Sequence, residues 1–123
     1  MVIDTSALLA ILLDEPERRA FNEAIEAADV RAMSMANFVE ASIVIESRYG
    51  AEGIRDLDLF LERAAIELVD VTLAHGHAAR RAFARFGKGR HTAGLNFGDC
   101  FAYERGEPLL FKGEDFDKTD LFR

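Results

Sequence analysis

The chain has 123 residues, half of them apolar, one cysteine and a formal net charge of −7. This length predicts one domain, residues 1–123, with a core large enough to fold without disulfides or structural zinc. The single Cys100 favours a reducing, cytoplasmic location, and the longest apolar run, Ala7 to Leu13, is too short for a membrane span or a signal peptide.

Short apolar strands alternate with helices along the chain. In order, we predict a strand over residues 1–4, a helix over Leu8–Leu13, a helix over Glu17–Ala28 preceded by Pro16, and a strand over Arg31–Ser34. There follow a helix that Ser34 caps and that stops near Tyr49–Gly50, a helix over Ile54–Ile66, a strand over Leu68–Val71, a helix over Ala74–Phe86, a short helix opened by Asp99, and a strand over Pro108–Phe111.

This alternation predicts an α/β fold in which a parallel sheet is covered on both faces. Ligands in such folds bind beyond the carboxyl ends of the strands. Asp4 and Asp115 each lie at or just after the end of a predicted strand. We therefore expect these two carboxylates at the same edge of the sheet.

Four carboxylates have no obvious structural role in these patterns, namely Asp4, Glu40, Asp99 and Asp115. Glu40 is the sharpest case, because the residues at −4, +3 and +4 on its predicted helix are all apolar. Each acid also has a structural alternative. Asp4 and Asp99 could favour the start of a helix, Glu40 could reach water from the rim of the core, and Asp115 is hard to tell from Asp117 and its other acidic neighbours.

Such a cluster calls for a divalent cation. Two carboxylates about 5 Å apart repel by roughly 3 kcal/mol at an effective dielectric constant near 20. Oxygen ligands alone suit Mg²⁺ or Mn²⁺, whereas Cys100 and the scattered histidines lack the spacing of a zinc site. A bound cation of this kind lowers the pKa of its water and stabilises charge on a phosphoryl oxygen.

Basic residues are concentrated in one segment of this acidic chain. From Val71 to Gly98 there is no Asp or Glu, and the segment carries five cationic side chains, Arg80, Arg81, Arg85, Lys88 and Arg90. We predict a strip that contacts phosphates. The alternative is a solvated basic helix face followed by a mobile loop.

Three sequence stretches and one acid carry a resemblance to a known family. They are Val2-Ile3-Asp4-Thr5-Ser6-Ala7-Leu8, Glu40, Leu95-Asn96-Phe97-Gly98-Asp99-Cys100, and Pro108-Leu109-Leu110-Phe111-Lys112-Gly113-Glu114-Asp115-Phe116. Over essentially the whole chain, and in the family's order, they resemble the PIN-domain ribonuclease toxins of VapC-type toxin–antitoxin modules. The resemblance implies a three-layer α/β/α sandwich, metal-dependent endoribonuclease cleavage of RNA, frequent homodimers, and neutralisation by a cognate antitoxin.

The resemblance also implies roles for individual residues. The family's catalytic, metal-binding acids correspond in position to Asp4, Glu40, Asp99 and Asp115, with Asp117 as a substitute for the fourth. Supporting roles fall to Ser6 and Asn96. One departure is the link from Cys100 to Glu107, about one helical turn shorter than a parallel crossover needs. A truncated helix there would change the position of Asp99 relative to Asp115.

Two other functions remain open at this point. One is a catalytically inactive module that keeps the PIN fold and only binds a partner, which the short link after Tyr103 would favour. The other is a phosphoacceptor signalling domain, suggested by Asp70 and by Lys112 after an apolar strand. That class carries an acid pair at its first strand, whereas here Asp4 stands alone.

Overall fold

The computed structural model describes residues 1–87 and 109–110 of the chain. Its elements are β1 (Val2–Ile3), α1 (Thr5–Leu12), α2 (Arg18–Ala27), β2 (Ala32–Ser34), α3 (Met35–Arg63), β3 (Glu67–Val69), α4 (Leu73–Phe86) and β4 (Leu109–Leu110). Every strand and helix predicted in this part of the chain is present, with its ends shifted by up to three residues, and two predicted helices are joined in α3. The short helix predicted from Asp99 lies outside the described residues.

The four described strands form one parallel sheet in the order β3-β2-β1-β4. All residues of β1 and β2 are buried, as expected for inner strands with helices on both faces. In contrast, β3 lies at an edge and exposes Glu67 and Leu68. The predicted α/β fold, a three-layer sandwich around a short parallel sheet, is therefore confirmed.

The connections decide which face each helix covers. The chain moves in one direction from β1 to β2 to β3, and right-handed crossovers then place α1, α2 and α3 on one face. The next described strand after α4 is β4, which lies beyond β1 at the other end of the strand order, and the same rule puts α4 on the opposite face. The strand order thus changes direction at β1. The topological switch point is therefore at the carboxyl ends of the neighbouring strands β1 and β4.

Helix α1 begins three residues earlier than predicted because Asp4 caps it. Asp4 is extended, with φ −79° and ψ 157°, and its side chain accepts a hydrogen bond from the Ser6 N–H. At the other end Asp14 adopts a left-handed φ of 53°. The N–H groups of Asp14 and Glu15 then donate to carbonyls of the last turn, at 3.2 and 2.8 Å, and turn the chain towards α2.

Helix α3 bends sharply at the position where the sequence predicted a helix end. Gly50 has φ 64° and ψ −150°, a conformation that only glycine adopts readily. The bend leaves no space for a side chain at Gly53, where a Cβ would lie 2.6 Å from Tyr49 Cβ and 2.9 Å from Ile45 Cγ2. The second half of the helix therefore continues at once from Ala51, instead of starting at Ile54.

The guanidinium of Arg31 joins the ends of two helices to the start of β2. It donates to the carbonyls of Ala28 and Glu26 at the end of α2, at 3.1 and 3.0 Å, and to that of Ala64 at the end of α3, at 2.7 Å. A cation suits these positions because helix carboxyl ends carry partial negative charge. None of the helices in the described part of the chain has the length and apolar composition of a membrane span.

Candidate active site at the carboxyl edge of the sheet

The structure buries Asp4 at the carboxyl end of β1, beside the switch point. Its backbone N–H donates to the Leu110 carbonyl at 3.0 Å, which ties the end of β1 to the end of β4. Only 1% of Asp4 is exposed. Asp4 therefore lies at the carboxyl edge of the sheet, where the sequence predicted it.

Hydrogen bonds to the Asp4 carboxylate are unevenly distributed between its two oxygens. Oδ2 accepts from the Ser6 N–H at 3.1 Å and from the Ser6 hydroxyl at 2.5 Å. Oδ1 has the Asn37 amide nitrogen at 3.4 Å, a long contact. Asp4 is thus the helix cap considered as its structural alternative, and both of these hydrogen bonds to Oδ2 come from Ser6. The cap uses Oδ2, so Oδ1 keeps a lone pair for another ligand.

Burial dominates the electrostatics of Asp4. Removal from water raises the pKa of Asp4 from 3.8 to about 6, the hydrogen bonds from Ser6 oppose that rise, and the charge of Glu40 adds to it. In the part of the chain that the structure describes, Asp4 forms no salt bridge. The Asp4 carboxylate therefore accepts hydrogen bonds, but no cationic side chain among the described residues is paired with it.

Glu40 is the second predicted acid that the structure brings to this site. It lies half-buried in α3, close enough for its charge to raise the pKa of Asp4. It borders an apolar cavity of about 450 Å³ with Met35, Ala36, Val39, Ile43 and Val71. The predicted position beside an apolar face is found, although Val39 and Ile43 on that face are exposed rather than in the core.

Four further acids and amides of the predicted site are not among the residues that the structure describes. Asp99, Asp115, Asp117 and Asn96 lie outside the described residues, as does the link from Cys100 to Glu107. Within residues 1–87 and 109–110, no group of three or more His, Cys, Asp or Glu is arranged to hold a metal. The described site therefore consists of two acids, and the full set of four stays a prediction.

Three residues of the predicted phosphate strip lie exposed on α4, namely Arg80, Arg81 and Arg85. The apolar stripe of this helix, Ala79, Ala82 and Phe86, is buried. The guanidinium carbon of Arg85 lies 4.8 Å from the centre of the Phe86 ring. Lys88 and Arg90 are outside the described residues.

Sequence reasoning missed Asn37. This residue is fully buried in the first turn of α3 and contacts both Asp4 and Thr5. The signal was available, because Asn37 stands three residues after the helix cap Ser34 and three before Glu40. Such a spacing places the amide beside the cap and on the Glu40 side of the helix.

Comparison with known proteins agrees with this geometry. The sequence model described as PIN domain matches residues 1–121. This chain belongs to the PIN domain family. Over 125 residues the PIN domain described here is 55% identical to Ribonuclease VapC30 of Mycobacterium tuberculosis, covering 98% of this chain and 95% of that protein. It is equally similar, at 55%, to Ribonuclease VapC of Mycolicibacterium smegmatis, with 98% of this chain and 97% of that protein covered.

A more distant relative extends the comparison. Ribonuclease VapC28 of Mycobacterium tuberculosis is 44% identical over 128 residues, which cover all of this chain and 96% of that protein. The expected membership in the VapC-type branch of the PIN domain family is therefore confirmed. This membership argues against the phosphoacceptor signalling domain considered as an alternative.

The donors of this PIN domain fit a hard divalent cation. Asp4 and Glu40 offer carboxylate oxygens, and the neighbouring Ser6 and Thr5 offer hydroxyl oxygens. Sulfur and imidazole ligands, which zinc prefers, are absent from this group of four. A cation there would offset the cost of burying the Asp4 charge.

Proposed function

We propose that the protein is an endoribonuclease toxin that cleaves RNA with water activated by Mg²⁺ or Mn²⁺. The observation that carries the proposal is the buried carboxylate of Asp4 at the switch point of the sheet, with Glu40 near it and no described cationic partner. The names of the similar proteins, all ribonucleases, support RNA as the substrate class.

In this proposal the acids hold the cation and the helices hold the acids. Asp4 and Glu40 would bind it together with Asp99 and Asp115, or with Asp117 in place of Asp115. When bound, the cation lowers the pKa of its water and neutralises charge on the phosphate that is attacked. Ser6 is hydrogen-bonded to Oδ2 of Asp4, so Oδ1 is the oxygen that would bind the cation.

We propose further that cationic side chains contact the phosphates on either side of the cleaved bond. The candidates are Arg80, Arg81 and Arg85 on α4 and, beyond the described residues, Lys88 and Arg90. Removing one phosphate-binding side chain should reduce the salt dependence of single-stranded RNA binding by a slope of about 0.7. Arg81→Ala should therefore weaken RNA binding and flatten its dependence on salt.

RNA cleavage by matched variants tests the catalytic proposal. Asp4→Asn keeps the shape of the side chain and its bonds from Ser6 but removes the charge, so cleavage in Mg²⁺ should fall more than about 100-fold. Glu40→Gln should behave in the same way. Glu46→Gln, on the same helix but exposed, is the control and should cleave like the wild type.

Two results would contradict the proposal. Unchanged cleavage by Asp4→Asn would remove this carboxylate from the chemistry. A wild-type protein that cleaves no RNA in either Mg²⁺ or Mn²⁺ would favour the catalytically inactive binding module.

We also propose that a cognate antitoxin neutralises the protein by binding in a groove of about 460 Å³ between α1 and the bend of α3. Its lining includes the apolar and aromatic side chains Leu12, Ile45 and Tyr49 and the acids Asp14, Glu52 and Asp56. An apolar segment with basic flanks would suit this surface. A homodimer and a cytoplasmic location are further proposals, which the resemblance and the single cysteine support.

Reversing the charge of an acid that lines the groove tests the antitoxin proposal. Glu52→Lys should weaken binding of the antitoxin about tenfold, chiefly by slowing association. Asp58→Lys makes the same change at an exposed position on the same helix that does not line the groove. Equal affinity in the two variants would place the antitoxin elsewhere.

A further inference from the structure

A buried amide links the two acids of the candidate site. Asn37 is fully buried and lies in α3, three residues before Glu40. Its side chain extends from this helix to the start of α1, where Asp4 and Thr5 are. The amide thus connects the helix that carries one acid with the turn that carries the other.

Hydrogen bonds to two hydroxyls agree with one orientation of the Asn37 amide. Asn37 Oδ1 accepts from the Ser34 hydroxyl at 2.9 Å, while the Ser34 oxygen accepts from the Asn37 N–H at 3.1 Å. Nδ2 donates to Thr5 Oγ1 at 3.0 Å, and the Thr5 hydroxyl donates to the Asn37 carbonyl at 3.3 Å. Each hydroxyl therefore has one donor and one acceptor role, and both roles agree with this orientation.

The same orientation directs a donor towards Asp4. Nδ2 lies 3.4 Å from Oδ1, the oxygen that Ser6 does not use. The reversed amide would set its oxygen against a carboxylate oxygen, and two acceptors repel. The contact is long, and contacts of this kind in active sites shorten when the site binds its ligand.

We propose that Asn37 is a positioning residue that orients the Asp4 carboxylate for the cation and sets its spacing from Glu40. This inference rests on the proposed function. Asn37 does not bind the cation itself. Its donor occupies one lone pair of Oδ1 and leaves the other for the cation.

A purely structural role accounts for less of what is observed. Ser34 already caps α3 through its own side chain. An apolar residue at position 37 would fill the core without the cost of burying an amide. The amide is useful where it is because it donates to a carboxylate while its oxygen is held by Ser34. Partners of this kind to metal-binding side chains are worth about 10- to 100-fold in metal affinity.

Calorimetric titration of the full chain with Mn²⁺ alone measures the metal affinity and tests this role. The variants are Asn37→Ala and, because that change could prevent folding, Asn37→Ser, whose side chain is too short to approach Asp4. Arg31→Ala is the stability control, since it removes hydrogen bonds to helix ends at the opposite edge of the sheet. Asp4→Asn reports on the metal site itself.

We expect both Asn37 variants to bind Mn²⁺ about tenfold or more weakly than the wild type, and Arg31→Ala to stay within about threefold. In cleavage assays the Mg²⁺ concentration for half-maximal rate should rise for the Asn37 variants while the KM for RNA stays the same. Wild-type Mn²⁺ affinity in a folded Asn37 variant, or an equal loss in Arg31→Ala, would overturn the inference. Wild-type affinity in Asp4→Asn would overturn the proposed function as well, so the two failures are distinguishable.

Discussion

The two ends of β2 show opposite ways of accommodating a charge in a folded protein. At its start the guanidinium of Arg31 donates to three carbonyls at the ends of two helices, so the fold itself balances the positive charge. At its end, next to Ser34, the carboxylate of Asp4 receives hydrogen bonds and still has a raised pKa. The first charge stabilises the fold, whereas the second costs stability until something else balances it. Among the described residues no cation balances this buried charge, and it lies at the edge of the sheet that we propose to bind metal.

The largest expected effect concerns the unbalanced end, in metal-free protein with EDTA present. The pKa of Asp4 is about 6 in the folded chain against 3.8 as its ordinary value, so its protonated form favours folding. This contribution is complete below pH 4 and is lost as the pH rises through 6. By pH 7 the wild type should have lost about 3 kcal/mol of unfolding free energy relative to Asp4→Asn. Urea unfolding of both proteins between pH 4 and pH 7 measures it.

The other acids titrate in the same way in the wild type and in Asp4→Asn, so their contribution cancels in the difference between the two unfolding free energies. A difference in unfolding free energy that does not change with pH would mean that the Asp4 carboxylate is balanced after all. The contrast between the two ends of β2 would then disappear.

A smaller effect is expected at the balanced end. Arg31→Ala leaves three carbonyls without their donor and should lower the unfolding free energy by about 2 kcal/mol. RNA cleavage by the folded variant should not change, because Arg31 lies at the opposite end of β2 from the acids. Arg18→Ala breaks only an exposed pair with Asp14, 3.1 Å apart, and should cost less than about 0.5 kcal/mol. Loss of cleavage in stably folded Arg31→Ala would show that the two ends are coupled.

A modest gain in stability is expected at the helix end that Arg31 holds. Ala65 follows α3 with a left-handed φ of 52°, which is costly for any residue with a Cβ. Ala65→Gly should therefore raise the unfolding free energy by up to about 1 kcal/mol, measured by urea unfolding. Ala64→Gly is the matched control and should destabilise, because Ala64 has an ordinary helical φ of −79°. Destabilisation by both changes would show that the turn is not strained.

The fold was more predictable than its boundaries. Apolar strands and helix periodicity depend on neighbours close in sequence, so the strands were predicted near their true positions. The helix end predicted near Gly50 is the point where α3 bends and continues. The start of α1 and the end of α3 were predicted less well, because Asp4 caps the first and a left-handed turn at Ala65 closes the second without the usual glycine.

The site was predictable in part. Asp4 and Glu40 were identified because a carboxylate after a buried strand, or beside apolar helix neighbours, has no evident local role. Asn37 was missed since its partners, Asp4 and Thr5, are more than thirty positions away in the chain. Only a contact of that range distinguishes it from a second capping residue.

The sequence by itself determined the class of fold and the family, and it singled out Asp4 and Glu40 as candidate site residues. Each of these follows from patterns among residues that are close together in the chain. Tertiary structure decided which charges are balanced. Whether Arg31 meets helix carbonyls, and which described donors meet Asp4, depends on how β1, β2 and β4 align at the two edges of the sheet. Burial and charge act through space, so the electrostatic environment of a side chain such as Asp4 is set only when distant segments have packed together.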